Sequence, residues 1–539
     1  LRRLFYLLGV VFIVLTGCTL TSDEPEVIYV TATPPQAAAP PQQVPTQPPA
    51  TVQTRPTVVL SPLPEQVMVP TANMPRSYVD VDAASVHTVQ AGDTLTGIAL
   101  TYGTDVDTLL AFNEFEDPNA LFVGQQVSLP PRPTEETSDL KLLPNSLLVR
   151  APGSAAFDIA AFINTQPGYI RTVTDLVDTR QADGSIEESR LNAAQIIERI
   201  SLEFSVDPRV LLALLEYRAR WLTEPNVPEE VGNYPLISEE DSEGVDREGL
   251  YRQLAWTANQ LNAGYYGWKY REWIMVAFSP EERLLINPNL NAGTVALQHF
   301  LSLNNTQGAW VRDVSRNGFY GVYFNYFGDP FISPFEPVVP SNLQQPEMTL
   351  PFIPNQTWFY TGGWHGGWGS GSAWAAVDFA PPDDPADTGG VSCYTSSYFT
   401  TAVAPGLIVR SENGVVVLDL DGDGDESTGW TVLYLHLAAE DRIAAGTRVQ
   451  AGDRIGRPAC EGGFSTATHL HLARRYNGEW LPADCTYCIS EYNPPPFTMS
   501  GWTVYGLQGQ EYQGFMQNVV GERRIAEQGR LTPDNRVSW

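Results

Sequence analysis

The stretch Thr468-His469-Leu470-His471-Leu472 constrains this chain more than any other. Residues two apart on a β-strand point to one face, so both imidazoles project into one site. Only six histidines occur among the 539 residues, and two stand here. A third, His436, lies in VLYLHLA, a run rich in β-branched and aromatic residues that also reads as a strand. A fourth, His365, stands in a Gly- and Trp-rich loop, with Asp378 thirteen residues later. Paired imidazoles, two further imidazoles and a carboxylate are the parts of a catalytic zinc site. Spacing alone leaves open which of His469 and His471 binds metal.

The length exceeds what one core can hold, and three or four domains are expected. Lys and Arg number 32 against 62 Asp and Glu, a formal charge of −30. With no basic patch, that balance excludes nucleic acid as a partner. The first residues read as a targeting segment: Arg2 and Arg3, then an apolar run from Leu4 to Leu15, too short to span a bilayer. Residues 19–85 are dominated by Pro, Thr, Gln, Ala and Val and cannot bury a core, so they form an extended tether.

Besides Cys18, the cysteines are Cys393, Cys460, Cys485 and Cys488. An even number outside the cytoplasm points to two disulfides. Of three connectivities, Cys393 with Cys460 and Cys485 with Cys488 is preferred. A lone C-x-x-C is weak evidence for structural zinc. Leu15-Thr16-Gly17-Cys18 resembles the lipobox of bacterial lipoproteins, a likeness that implies a lipidated Cys18, a signal peptide over 1–18 and membrane anchoring.

Residues 86–130 read as strand, helix, helix, strand. Thr94 caps a helix carrying Leu95, Ile98 and Ala99, and a second helix carries Val106, Leu109 and Leu110. With HTVQAGDTL, Asn113 and VGQQVSLP, the segment resembles a LysM domain. That resemblance implies binding of N-acetylglucosamine-containing glycan, with Gly92, Asp93, Thr94 and Asn113 lining the groove. Turn-making and capping is the other reading of those four residues.

A linker (131–153) leads to a mostly helical region, 154–334, with helical periodicity at Ala193, Ile196, Ile197, Ile200 and Phe204. Asp207-Pro208 supplies an N-cap and first-turn proline for the next helix. VDPRVLLALLEYRARWLT resembles the catalytic-glutamate helix of lysozyme-like lytic transglycosylases. The likeness implies Glu216 as an acid on glycosidic bonds, although Tyr217 stands where that family has serine. A boundary residue on an apolar helix face is the alternative for Glu216. His299 reads as core.

A second linker (335–357) precedes a β-rich region, 358–498, of short runs punctuated by glycine, which reads as an antiparallel sheet folded on itself. WHGGW, VDFAPP, AVAPGLIV, VLYLHL, AGDRIG and STATHLHLARR, in that order, resemble the lysostaphin-type zinc metallopeptidases, which cleave peptide bonds in peptidoglycan. The resemblance implies zinc on His365, Asp378 and His471, with His436 and His469 as the unligated, catalytic pair. It departs where that family usually places the aspartate four residues after the histidine; here GGWGSGSAWAAV intervenes. In LDLDGDGDESTGW, Asp419, Asp421, Asp423 and Asp425 alternate like the start of a calcium loop. Trp430 occupies the twelfth position, where a bidentate glutamate is needed, so a solvated hairpin turn competes with calcium. Residues 499–539 form a C-terminal extension without a catalytic motif.

The expectation is a multidomain, lipid-anchored protein of the bacterial cell envelope: a peptidoglycan-binding LysM module, a helical middle and a zinc endopeptidase. The rivals are a non-catalytic wall-binding or regulatory lipoprotein and a two-headed hydrolase in which Glu216 also cuts glycan.

Overall fold

The computed structural model describes residues 86–539 apart from 91–92, 96–97, 100–101, 103, 105, 116–120, 131–132, 238–244, 272, 280–281, 385–391, 489–492 and 531–532. The expected leader, tether and Cys18, and Gly92 in the glycan module, lie outside the described residues. No helix among the described residues is long and apolar enough to cross a membrane.

The N-terminal unit pairs β1 (Val86–Thr88) with β2 (Gln126–Ser128) antiparallel, His87 opposite Val127. Helix α1 (Val106–Phe112) packs on them through Leu109, against Val89, Leu95, Ile98, Ala99 and Val127. These buried residues form a small core of their own.

In the middle region, the hairpin β3 (Thr174–Arg180) and β4 (Ile186–Asn192) runs into α2 (Ala193–Phe204). The junction is a capping box: Asn192 accepts the Gln195 N–H, and the Gln195 side chain accepts the Asn192 N–H. Helix α3 (Pro208–Ala219) starts on Asp207, whose carboxylate accepts the Arg209 N–H, with Pro208 in the first turn. The longest helix, α4 (Leu250–Tyr270), is buried over most of its length and packs on α5 (Ala292–Ser302). A helix hydrophobic nearly all round must be enclosed, and the enclosing partner is the sheet.

Among the described residues that sheet has nine strands, all antiparallel where they pair. In chain order they are β5 (Trp358–His365), β6 (Ala376–Ala380), β7 (Gly406–Glu412), β8 (Val415–Asp419), β9 (Trp430–Leu435), β10 (Arg448–Val449), β11 (Leu470–Tyr476), β12 (Glu479–Trp480) and β15 (Arg536–Val537). Across the sheet they run β10-β7-β8-β9-β11-β6-β5-β15, with β12 paired to β11. A four-stranded sheet built around β13 (Trp502–Leu507) and β14 (Gln510–Asn518) packs beside β5.

Alternation along the strands sorts side chains into two cores. Val415, Val417, Leu433, Leu435 and Ala473 join the helices of the middle region. Val416, Leu418, Val432, Tyr434, Leu470 and Leu472 join a second core with Leu350, Phe352, Met499, Val504 and Val537. Both faces are therefore covered, which accounts for the near-continuous apolar runs. Buried polar groups cross the seam: Glu479 on β12 is 2.6 Å from Lys269 Nζ and accepts the hydroxyls of Tyr265 and Tyr270 on α4.

Three segments outside the expected folded domains also take part in the packing. Leu142, Leu143, Leu148 and Val149, placed in a linker by composition, are fully buried in the middle-region core. Val338, Val339, Met348, Leu350 and Phe352, also assigned to a linker, are buried between elements. The C-terminal extension supplies an edge strand of the main sheet and part of its second core. Pro-rich or motif-poor composition hid segments that lie packed against the sheet.

Candidate metal centre

Strand register builds the site. His471 on β11 and Asp378 on β6 are direct cross-strand partners, so imidazole and carboxylate leave neighbouring Cα positions. Strand β5 pairs with β6 through two register shifts that set Gly362 opposite Asp378 and His365 opposite Ala376. A Cβ at Gly362 would stand 2.5 Å from Asp378 Oδ2, so only glycine leaves room for that carboxylate. His436 follows the last residue of β9 at φ 69°, a left-handed conformation rare for a side-chain-bearing residue, and this turns its ring back toward the cluster.

Within the cluster, His365 Nε2 is 2.9 Å from His471 Nδ1. Asp378 Oδ1 lies 3.2 Å from His365 Nε2, 3.4 Å from His471 Nδ1 and 3.7 Å from His469 Nε2. The His436 and His469 rings stand 4.5 Å apart. His365, Asp378 and His471 are all buried and place one ligand atom each within 4.8 Å of the others.

Each ring has its proton placed by the main chain. His365 Nδ1 donates to the Gly363 carbonyl (2.7 Å), His471 Nε2 to Gly367 (3.1 Å), His469 Nδ1 to Ala467 (2.8 Å) and His436 Nδ1 to Glu461 (3.2 Å). A carbonyl only accepts, so the nitrogens turned to the cluster carry lone pairs in the neutral rings. Two lone pairs 2.9 Å apart, beside a buried carboxylate oxygen that accepts no hydrogen bond, repel unless a cation lies among them. The donor set of two imidazoles, each held from behind by a carbonyl, and one carboxylate matches a zinc site with an open position.

The electrostatics agree. Burial would raise the Asp378 pKa, but His365 and His469 outweigh it and hold the carboxyl well below its usual range. Burial presses His365 down, yet Asp378 and the Gly363 carbonyl carry it above the ordinary histidine value. His436 falls well below that value, through burial and then the neighbouring His469 and His471.

The long loop between His365 and Asp378 is pinned from outside the sheet. The Asn259 side chain on α4 accepts the Gly371 N–H and donates to Ser370, and Arg271 donates to the carbonyls of Gly371 and Ser372. At Gly371 a Cβ would collide with the Asn259 carbonyl.

Several residues here carry no sequence signal. Tyr512, on β14, stacks its ring 4.3 Å from that of His365, and neighbouring Glu511 accepts the Gly366 N–H. Glu461 holds the His436 ring through its carbonyl, while its carboxylate accepts the N–H groups of Gly414 and Ala439 and a guanidinium N–H of Arg442. The Cys393–Cys460 disulfide ties that loop down, and Cys485 pairs with Cys488.

Other expected site residues lie elsewhere. Glu216 Oε2 accepts the N–H groups of Leu222 and Thr223, and Oε1 accepts the Thr223 hydroxyl, so the carboxylate is engaged in closing the turn after α3. In the N-terminal unit, Asp93 accepts the Gln90 N–H and meets His87 Nε2 at 2.7 Å. Asn113 clamps α1 to β2 through the Leu109 carbonyl and both backbone groups of Ser128. Thr94 lies between these elements, its backbone carbonyl accepting the Ile98 N–H. In the aspartate-rich turn, Asp419 accepts the N–H groups of Asp421, Gly422 and Gly424, and Asp425 accepts the N–H and the hydroxyl of Ser427. The oxygens expected for calcium thus brace their own loop, and nothing in the comparisons supports that ion.

Comparison with known proteins divides the chain. Residues 141–340 match the family described as LasA, N-terminal domain, and residues 87–130 match the LysM domain. The chain carries a LasA-like domain and a LysM domain. The stretch read from sequence as lysozyme-like thus falls within the LasA-type match. Protease LasA of Pseudomonas aeruginosa is 26% identical over 314 residues, covering 53% of this chain and 67% of the relative. Among solved structures, the M23 metalloprotease pseudoalterin from the deep sea is similar over 35% of this chain and 99% of its own, at 23% identity and a TM-score of 0.26. The catalytic domain of lysostaphin from Staphylococcus simulans is similar over 24% and 87%, at 23% identity and a TM-score of 0.16.

Proposed function

We propose that this protein is a zinc-dependent endopeptidase that hydrolyses peptide bonds of bacterial peptidoglycan, with its LysM domain holding the glycan. The observation that carries the reading is the convergence of His365 Nε2, His471 Nδ1 and the unbonded Asp378 Oδ1, with both rings turned by backbone carbonyls to present lone pairs. Likeness to protease LasA and the LysM match support the substrate class. The leader-like segment ending at Cys18 supports export and lipid anchoring of the chain.

His365, Asp378 and His471 would hold the metal, whose chemistry when bound is Lewis-acid polarisation and a lowered water pKa of about 7. His469 Nε2, fixed by the Ala467 carbonyl behind it, accepts a proton on the cleft side and returns it to the leaving amine. His436, kept neutral by its surroundings, shares that proton relay through the ring 4.5 Å from His469. Tyr512 covers the face of His365 and narrows the approach.

Metal analysis of the purified protein tests the reading. Roughly one zinc per chain is expected, lost in Asp378→Ala and His471→Ala and kept in Asp384→Ala, a carboxylate of the polar loop after β6 that is not part of the His365, Asp378 and His471 cluster. Digestion of purified peptidoglycan should release new amino groups without new reducing sugar ends, and His469→Ala should abolish this while keeping zinc. A protein without zinc, or zinc-loaded but inert on cell walls, would instead be a non-catalytic wall-binding lipoprotein.

A further inference from the structure

A cavity outside the histidine cluster opens where three parts of the chain meet. Trp364 near the end of β5, with Ala373 and Trp374 in the loop before β6, forms one side. Arg271, just after α4, forms a second. Tyr487 closes the third, together with Gln508 and Gly509 in the turn from β13 to β14. The volume is about 50 Å³. A cavity of roughly 150 Å³ admits a benzene ring, so this one holds a single small group and not a whole sugar or aromatic ring.

The walls are aromatic and fixed. The Trp364 and Trp374 rings meet edge to face at 4.9 Å, and Trp364 Nε1 donates to the Gln510 carbonyl. Tyr487 stands 6.4 Å from Trp364, inside the short loop closed by the Cys485–Cys488 disulfide, and is 44% exposed. The faces of these rings carry partial negative charge. They attract the slightly positive hydrogens of a methyl group or of the C–H face of a sugar.

The polar rim is uncommitted. Arg271 lies 5.2 Å over Trp374 and commits Nη2 to the carbonyls of Gly371 and Ser372. Among the described residues its Nε and Nη1 meet no acceptor, and neither is sealed from solvent. The Gln508 amide and the Tyr487 hydroxyl are exposed and have no partner there either. The acids nearby leave no surplus of positive charge. Asp484 in the lining accepts the Thr486 N–H and hydroxyl and the Gly506 N–H, and Glu511 lies close enough to act on Arg271. One guanidinium against two carboxylates is no anion receptor, so the rim suits a neutral group with one acceptor and one donor.

We propose that this pocket binds the acetamido group of an N-acetylated sugar. The methyl enters among Trp364, Ala373 and Trp374, the carbonyl faces Arg271 and the N–H faces the Gln508 amide oxygen, with the sugar ring outside on Tyr487. An alanyl methyl is as small but brings no flat C–H face for Tyr487, which favours the sugar. The pocket shares its strand and its loop with the candidate centre: Trp364 precedes His365, and Ala373 and Trp374 lie between that residue and Asp378. A glycan held there presents its attached peptide beside the centre. That consequence alone rests on the hydrolase reading; the binding needs no catalysis.

Tryptophan fluorescence of the full chain tests this with the N-acetylglucosamine trimer, cellotriose and N-acetyl-trialanine amide. Trp221 is the first of the thirteen tryptophans, so sugar bound by the LysM domain, which has none, leaves the emission unchanged. The trimer should shift the emission and bind about tenfold or more tighter than cellotriose, which has the same rings without acetamido groups, and than the peptide. Tyr487→Ala and Gln508→Ala, both at exposed positions, should each weaken the trimer by about fivefold or more with thermal unfolding unchanged. The His471→Ala protein should bind the trimer like the parent. Equal binding of cellotriose or of the peptide, no response at millimolar trimer, or full affinity in either surface variant would overturn the assignment. Zinc content and wall digestion, measured on the same preparations, report separately on the hydrolase reading.

Discussion

Glu426 offers a sharp test of how the middle region and the sheet are held together. Its carboxylate receives Arg410 through two hydrogen bonds and Arg475 through a third, and the side chain is 10% exposed. Burial alone would raise its pKa, but Arg410 and then Arg475 outweigh burial and bring it to about 2 from the ordinary 4.5. A carboxyl depressed in the folded state contributes stability above its unfolded pKa and loses it as pH falls toward the folded value. The gap corresponds to about 3 kcal/mol at neutral pH and about 1 kcal/mol at pH 3. Glu426→Gln removes the charge and leaves Arg410 and Arg475 facing each other without an anion. Urea unfolding followed by tryptophan fluorescence should show the variant less stable by about 3 kcal/mol at pH 7 and by about half that or less at pH 3. Carboxyls common to both proteins cancel in the difference. A deficit of equal size at both values would show that Glu426 acts through shape and not through charge, and would refute the reasoning.

Two further outcomes follow from groups at other junctions. Glu479→Leu strands the Lys269 ammonium and the Tyr265 and Tyr270 hydroxyls in the seam, and thermal unfolding should show a loss of about 3–5 kcal/mol. Asn113→Ala removes two bonds to Ser128 on β2 and one to the Leu109 carbonyl of α1, and the isolated 86–130 unit should lose about 1–3 kcal/mol by circular dichroism.

How far the molecule was legible depended on whether information was local. His469 and His471 could be paired from a period of two, because alternation on a strand is a property of the backbone itself. The cap at Asp207 and the capping box before α2 belong to the same class. Asp378 could be named but not placed, since its position opposite His471 is set by strand register and by two shifts in β5, which no spacing encodes. Tyr512 and Glu461 reach the site through long-range packing and left no motif. Glu216 stays ambiguous for the opposite reason: a carboxylate after an apolar helical run looks alike whether it meets a sugar or closes a turn. Proline-rich segments such as 335–357 read as linkers by composition, which does not show that their few apolar residues fill gaps between elements.

The imidazoles lean on carbonyls at positions 363, 367, 461 and 467, four separate places along the chain. Which nitrogen of each neutral ring carries the proton is thereby inherited from the path of the main chain. Side chains around the cleft can then diverge to suit one wall peptide or another while the reactive geometry stays fixed. For an engineer, specificity and chemistry in this scaffold are separable variables: the rim can be redrawn freely so long as the trace through those four carbonyls is left alone.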